Sequence, residues 1–310
     1  MFSRLAYYGF VYPVSYLPLP VMYVCIDFFY LLLITVIPYR RKVVRENIAN
    51  SLPHLTPKEQ RKVERQFYRH LASLLAEGTK NLTISKKELL RRITVKNPEV
   101  LEELYSKNKS VLLVSGHYNN WEWLITAQNL LFSHQAVGIG MPLSNKFWDK
   151  KLNARRARNG MHIINANNLK SFFTTNTDCI ATLVLGDQSP GDAKKAYWMK
   201  FLNQNTPVLF GTEMLAHTYD FGVVYFVINR KKRGYYEIEL KVITENPKET
   251  QWGEITEAHT KALETDILKN PQYWIWSHKR WKRQVPENLT ELKAQQKALF
   301  EKRFCTNNKS

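Results

Sequence analysis

Cysteine is sparse in this chain of 310 residues. Cys25, Cys179 and Cys305 stand far apart, with no CxxC or zinc-ligand spacing among them. That excludes a disulfide framework and a cysteine-held structural zinc, and it makes a reduced compartment the simplest setting. Acidic residues are also few beside basic ones, 27 against 45, leaving a formal net charge of +18. Clusters of metal-binding carboxylates, RNP-like motifs and zinc-finger spacings are all missing, so the case for a basic nucleic-acid-binding protein or nuclease rests on charge alone. No GxSxG elbow occurs and no cysteine lies beside a histidine in sequence, which disfavours a serine or cysteine nucleophile and a covalent intermediate on it. Internal repeats and low-complexity blocks are absent as well. What remains is 44% hydrophobic and 13% aromatic, enough to bury a large core. The excess of positive charge calls for an anionic partner: an acidic membrane, an anionic lipid, an acidic carrier protein or nucleic acid.

Charge is scarcest at the N-terminus. Between Leu5 and Pro38 the sole charged residue is Asp27, and Pro13, Pro18 and Pro20 interrupt the first half. Val21 to Ile37 is a proline-free, mostly apolar stretch whose helical length, roughly 25 Å, is borderline for a bilayer core. Asp27 would cost about 2.5–3.5 kcal/mol in lipid, a penalty the neighbouring Phe28, Phe29, Leu31, Leu32 and Leu33 can offset. Tyr39-Arg40-Arg41-Lys42 and Arg45 follow at once, and positive charge there predicts that what comes next lies on the cytoplasmic side. The expectation is an N-terminal membrane-anchor helix over residues 1–43.

Residues 44–105 read as a helical segment packed on the catalytic domain. Thr56-Pro57-Lys58-Glu59 is a capping box with proline in the first turn, followed by Val63, Phe67, Leu71, Leu74 and Leu75 at helical spacing. A second helical stretch carries Leu89, Leu90 and Ile93. Residues 106–285 alternate strands and helices, the pattern of an α/β domain with a mixed central sheet flanked by helices. Strands are expected near 111–114, 136–139, 162–165 and 180–185. Helices are expected near 121–132, 146–159 and from Gly211. A hairpin with strands 223–228 and 235–242 comes next, then an amphipathic helix over 255–268. Residues 286–310 form a polar tail, expected to be loosely attached.

One segment carries chemistry. Val111 to Val114 reads as a buried strand that stops at Ser115-Gly116 and delivers His117 to its end, with Glu122 five positions later. A strand-end histidine with a carboxylate close behind fits a general base and its orienting acid. The spacing alone is weak, since roughly 0.7 such pairs are expected by chance. Three occur, and context separates them. Glu59, after His54, is the capping-box acid; His259 and Glu264 sit on different faces of one helix. Only His117 lies at a strand-to-helix turn, although a core histidine satisfied by backbone is the ordinary alternative.

The segment SGHYNNWEW, from Ser115 to Trp123, resembles the H-x4-D/E signature of the bacterial lipid A late (lauroyl/myristoyl) acyltransferases, within the glycerolipid acyltransferase-like group. The resemblance begins at YRRKVVRENIANSLP (Tyr39 to Pro53), passes through Gly186-Asp187-Gln188 and closes on NPQYWIWSHKRWKR (Asn270 to Arg283). It implies transfer of a fatty acyl group from a thioester to a hydroxyl of a lipid A precursor. His117 would be the base, supported by Glu122. No cofactor or metal is implied, only acyl-acyl carrier protein or acyl-CoA as co-substrate. The implied partners are acyl carrier protein, the lipid acceptor and the membrane, with no nucleic acid, and the implied location is the cytoplasmic face of the inner membrane. Another acceptor, such as an aminolipid, lysophospholipid or glycolipid, is the leading alternative. Arg156 and Arg158 match the family's functional arginine region, inside a basic run from Lys146 that could equally be a solvated helix. Asp187 is similar to an acidic position linked to activity, with Gln188 beside it. Arg280, in the closing Arg-rich run, is assigned a substrate or structural role. The chemistry also needs a groove for a fatty tail beside His117.

Overall fold

Every residue of Val111–Ser115 is buried, as a strand covered on both faces must be. Its side chains alternate between two cores: Val111 and Leu113 enter one, Leu112 and Val114 the other. The structure is a computed structural model that describes residues 2–35, 39–140 and 142–305. Nine strands occur among them: β1 (Ile93–Val95), β2 (Val111–Ser115), β3 (Gln135–Gly140), β4 (His162–Asn165), β5 (Ile180–Leu185), β6 (Tyr197–Phe201), β7 (Gln204–Val208), β8 (Gly222–Lys232) and β9 (Tyr235–Thr244). Seven make one sheet in the order β1-β9-β8-β2-β5-β3-β4, parallel throughout except for the β8–β9 hairpin, and β6–β7 form a separate antiparallel ribbon. The expected mixed α/β sheet is present.

Short helices α1 (Phe2–Ala6) and α2 (Tyr12–Ser15) flank a π-helical turn, Tyr7–Val11, and lead into α3 (Leu19–Thr35). After them come α4 (Arg41–Ser51), α5 (Pro57–Lys80), α6 (Lys86–Arg92), α7 (Glu99–Ser106), α8 (Trp121–Leu131), α9 (Lys146–Ala157), α10 (Leu169–Thr175), α11 (Gly211–Tyr219), α12 (Glu254–Lys269) and α13 (Leu289–Phe304). One core joins α6, α7 and α8 to the sheet through Leu89, Leu101, Trp123 and Leu124. The opposite core joins α5 and α12 through Phe67, Ile255, Leu263 and Ile267, with Trp274 and Trp276. The capping box forms as expected: the Thr56 N–H donates to Glu59 Oε2 at 2.8 Å and the Glu59 N–H to Thr56 Oγ1 at 3.4 Å.

Three sequence expectations need revision here. No helix among the described residues is long and apolar enough to cross a membrane, and the expected anchor stretch runs past the described residues at Val36 and Ile37. Within α3, Asp27 has an ion-pair partner: the Arg233 guanidinium donates to both its oxygens at 2.7 Å. Tyr23, on the same helix, donates to the buried Glu77 of α5 at 2.7 Å. Ile93, expected to continue a helix, opens β1, because the β-branched run Ile-Thr-Val suits a pleated edge beside β9 better than a helical turn. The polar tail is helical and docked. Phe300 is only 2% exposed and meets Phe210 and His217 edge-on, Phe304 packs on the same His217, and Gln296 donates to the carbonyls of Lys194 and Ala196, so several contacts hold α13 in place.

Candidate active site

The sheet's parallel ladder builds the site. Ser115 of β2 pairs with Leu185 of β5, and two residues beyond each pair member stand His117 and Asp187. Equal offsets past a parallel register bring two side chains to one edge, the carboxyl end of the sheet, where α/β folds carry their chemistry. Gly116 permits the approach: a Cβ there would fall 2.5 Å from Leu263 Cδ2 and 2.9 Å from Asp187 Oδ2. Asn119, at φ +54°, turns the chain back, a backbone conformation that asparagine tolerates. Asn120 then caps α8 by accepting from the Trp123 N–H at 3.1 Å.

His117 Nδ1 lies 2.6 Å from Asp187 Oδ1. The other carboxylate oxygen accepts from the His117 backbone N–H at 2.9 Å and from the Trp274 indole N–H at 2.7 Å. Asp187 is 5% exposed, yet a backbone N–H, an indole N–H and the adjacent imidazole fix it as the anion. Burial would raise its pKa, but the His117 charge and these hydrogen bonds outweigh burial and hold it well below the usual carboxylate range. For His117, burial pulls the pKa down; the Asp187 charge and hydrogen bond, with help from Glu122, overcome this and leave it raised. With Nδ1–H donated to Asp187, Nε2 is the basic atom. It faces the Gln188 side-chain amide at 3.2 Å, which donates to it. The ring meets Trp121 edge-on at 5.0 Å between centroids, and 17% of its side chain stays accessible. Five cavities of about 380 to 770 Å³ lie elsewhere, and none has His117 in its wall.

The expectation that Glu122 orients His117 is therefore corrected. Both ring nitrogens have other partners, and the Glu122 carboxylate is clamped by the guanidinium groups of Arg155 and Arg156 on α9. Burial opposes its ionisation, but the two arginines prevail and its pKa is lowered. Glu122 acts on His117 only through its field, and Arg156 opposes that field from the same neighbourhood. Arg158, expected to contact substrate, instead donates to the carbonyls of Leu82 and Ile84 at 3.3 and 2.9 Å and pins α9 to the loop after α5. Arg280 is 1% exposed and close enough to Asp187 to feel its charge. Burial pushes its pKa down to about 10, with Asp187 opposing. Trp274 and His278 were not singled out from the sequence, and His278 accepts the Ser189 N–H at 3.0 Å to shape the loop after Gln188.

Replacing Glu122 by Gln leaves two guanidinium groups without their counter-charge. Charge-assisted hydrogen bonds of this kind contribute about 1.5–3 kcal/mol, so a loss of about 10–100-fold in kcat/KM is expected. Because Asp187 still holds the imidazole, the acid limb of the pH–rate profile should persist, moved only to somewhat lower pH as the Glu122 charge is lost and the Arg156 charge remains. A collapse of that limb in the variant would return Glu122 to the role of orienting acid.

A parallel-rich sheet with a carboxylate-held histidine at its carboxyl edge places the chain among the α/β enzymes. The residues that surround this edge come from segments spread from Ser115 to Arg280, and that whole span is covered by one family. The chain belongs to the bacterial lipid A biosynthesis acyltransferases, whose family model matches residues 2–283, and it is an acyltransferase. A comparison with curated proteins gave no significant match.

Proposed function

We propose that this acyltransferase moves a fatty acyl chain from an acyl thioester, carried by acyl carrier protein, to a hydroxyl of a lipid A precursor, with His117 as general base and Asp187 as its orienting acid. The observation that carries this reading is the 2.6 Å contact between His117 Nδ1 and Asp187 Oδ1, in a chain of this family. The acceptor hydroxyl displaces the Gln188 amide from Nε2 and gives its proton to that nitrogen as its oxygen attacks the thioester carbonyl. The carbonyl oxygen gains negative charge, for which Arg156, fixed by Glu122, is the nearby cation. Collapse breaks the C–S bond, forms the ester, and the imidazolium returns the proton to the thiolate. Base catalysis of this kind contributes typically 10²–10⁴-fold.

Membrane seating belongs to the same proposal. Phe2, Leu5, Phe10 and Tyr16 are 62–83% exposed, and Val24 and Phe28 on α3 are 74% and 66% exposed. Aromatic and aliphatic side chains of this kind settle at a bilayer interface, and the net charge of +18 adds attraction to anionic lipid on the cytoplasmic face of the inner membrane. The basic residues of α9 offer a face for an acidic carrier protein.

Mass spectrometry of lipid A from cells with and without the chain tests the acceptor. One additional acyl group per lipid A is expected, and an unchanged lipid A beside an altered aminolipid or phospholipid would overturn it. The pH dependence follows from the raised His117 pKa. A base must be neutral to accept a proton, so kcat/KM rises with pH and its acid limb is centred above 6.5, the ordinary histidine value. A limb centred below 6.5 would contradict the pairing with Asp187.

A further inference from the structure

Away from the catalytic pair, α5, the β8–β9 hairpin and residues 271–273 enclose a cavity of about 380 Å³. Its wall includes Arg69, His70, Ser73, Arg230, Arg233 and Tyr273. Arg233 is engaged: it pairs with Asp27, donates from Nε to Ser73 Oγ at 2.9 Å, and stacks over Tyr23 at 4.1 Å. Arg69 and Arg230 differ. Among the described residues neither forms an ion pair, and Asp27, whose carboxylate feels the Arg69 charge, is already held by Arg233.

His70 supplies the second observation. It is 2% exposed, lines this cavity, and its Nε2 has no hydrogen-bond partner among the described residues. Arg230 Nη1 approaches Nδ1 at 3.5 Å. A guanidinium can only donate, so Nδ1 accepts and the ring proton sits on Nε2. Burial, aided by the Arg230 charge, pushes the His70 pKa down to about 3, so the ring stays a neutral donor at any working pH. A buried N–H with no acceptor is rare in native proteins and calls for an explanation. Gln66 and Gln272 also line the wall, and their amides can donate or accept, but every charged group there is a donor. The Arg69 guanidinium, the N–H groups of Arg230 beyond the one on His70, and the His70 imidazole N–H are presented from two different elements, α5 and β8.

Donors converging from separate elements match the several oxygens of one oxyanion better than a single carboxylate, and arginine forks suit phosphate in particular. We propose that this cavity is a phosphate-binding site, distinct from the His117–Asp187 pair, which takes the phosphate of an anionic lipid or free phosphate. Its surroundings reach both the lipid side and the chemistry. Arg233 ties the wall to α3, whose Val24 and Phe28 are exposed, and Tyr273 immediately precedes Trp274, which donates to Asp187. The site stands independently of the acyl-transfer reading.

The test is titration of the full chain in neutral detergent with inorganic phosphate, followed by calorimetry. Saturable binding is expected, unchanged in His117→Ala and at least tenfold weaker in the Arg69→Gln/Arg230→Gln double variant. Arg69→Gln alone replaces an exposed side chain, cannot threaten folding, and should weaken binding several-fold. Nanodiscs of phosphatidylcholine with and without phosphatidylglycerol identify the source. Displacement of bound phosphate by phosphatidylglycerol marks a lipid headgroup; phosphate left in place marks the free anion. Absence of saturable phosphate binding, or binding equally tight in the double variant, overturns the proposal.

Discussion

Asp187→Asn is expected to lower acyl transfer by about 10⁴-fold while leaving the fold in place, a loss of the size seen when a catalytic histidine is held in the wrong tautomer. The geometry dictates which way the amide must sit. The His117 backbone N–H and the Trp274 indole both donate to Oδ2, so the asparagine carbonyl has to occupy that place. Its NH2 group then faces His117 Nδ1, which must accept, and the ring proton moves to Nε2. The atom that should receive the acceptor's proton already carries one. Charge loss has a second effect. Without Asp187 the burial of His117 is unopposed by its main counter-charge, so the ring's pKa falls and any residual acid limb moves to lower pH. Arg280, buried and coupled to Asp187, also loses compensation, at about 1–3 kcal/mol of stability. Steady-state kinetics with a thermal melt separates the two effects. Near-normal turnover in a folded Asp187→Asn protein would remove Asp187 from the reaction.

His117→Ala is expected to lower transfer by about 10²–10⁴-fold, because among the described residues no second base stands free at the sheet edge to replace it. Glu122 is locked between two arginines, and His278 accepts a backbone N–H through its Nε2. The variant is expected to fold, since the ring is partly accessible, and to keep the proposed membrane association, since the exposed apolar residues proposed to seat the protein lie at 2–28. Radiolabelled acyl transfer by purified His117→Ala, beside flotation with vesicles, provides the check. Full turnover in this variant would end the general-base assignment.

Much of the architecture could be read from the residues. β4 and β5 fall at the expected limits, β2 within one residue, and the β8–β9 hairpin and α12 nearly so, because each has a clean period and clear punctuation. The β6–β7 ribbon went unread: Gln204–Val208 contains Pro207, which ordinarily argues against a strand, and is tolerated here because it sits on an isolated two-stranded ribbon. The histidine proposed as the base stands where the sequence placed it, at the end of an apolar strand. Its partner was not legible, although Asp187 itself was noted. Spacing along the chain favours a carboxylate five residues away, whereas the true neighbour is set by which strands pair, and strand order is a non-local property. The signal was present in the matching ends of β2 and β5, each followed by glycine and then a polar residue, but it gains meaning only once β2 and β5 are known to lie side by side. Arg158 illustrates the same limit, since the carbonyls that hold it belong to a loop over seventy residues earlier.

The amide of Gln188 resting on Nε2 has a bearing on side reactions. A thioester is readily split by water, and an imidazole left open to solvent would activate that water as readily as a sugar hydroxyl. In the proposed reaction, with the nitrogen plugged until a better partner arrives, a donor that docks alone would find no working base, and fatty chains would be kept for the acceptor instead of being shed as free acid.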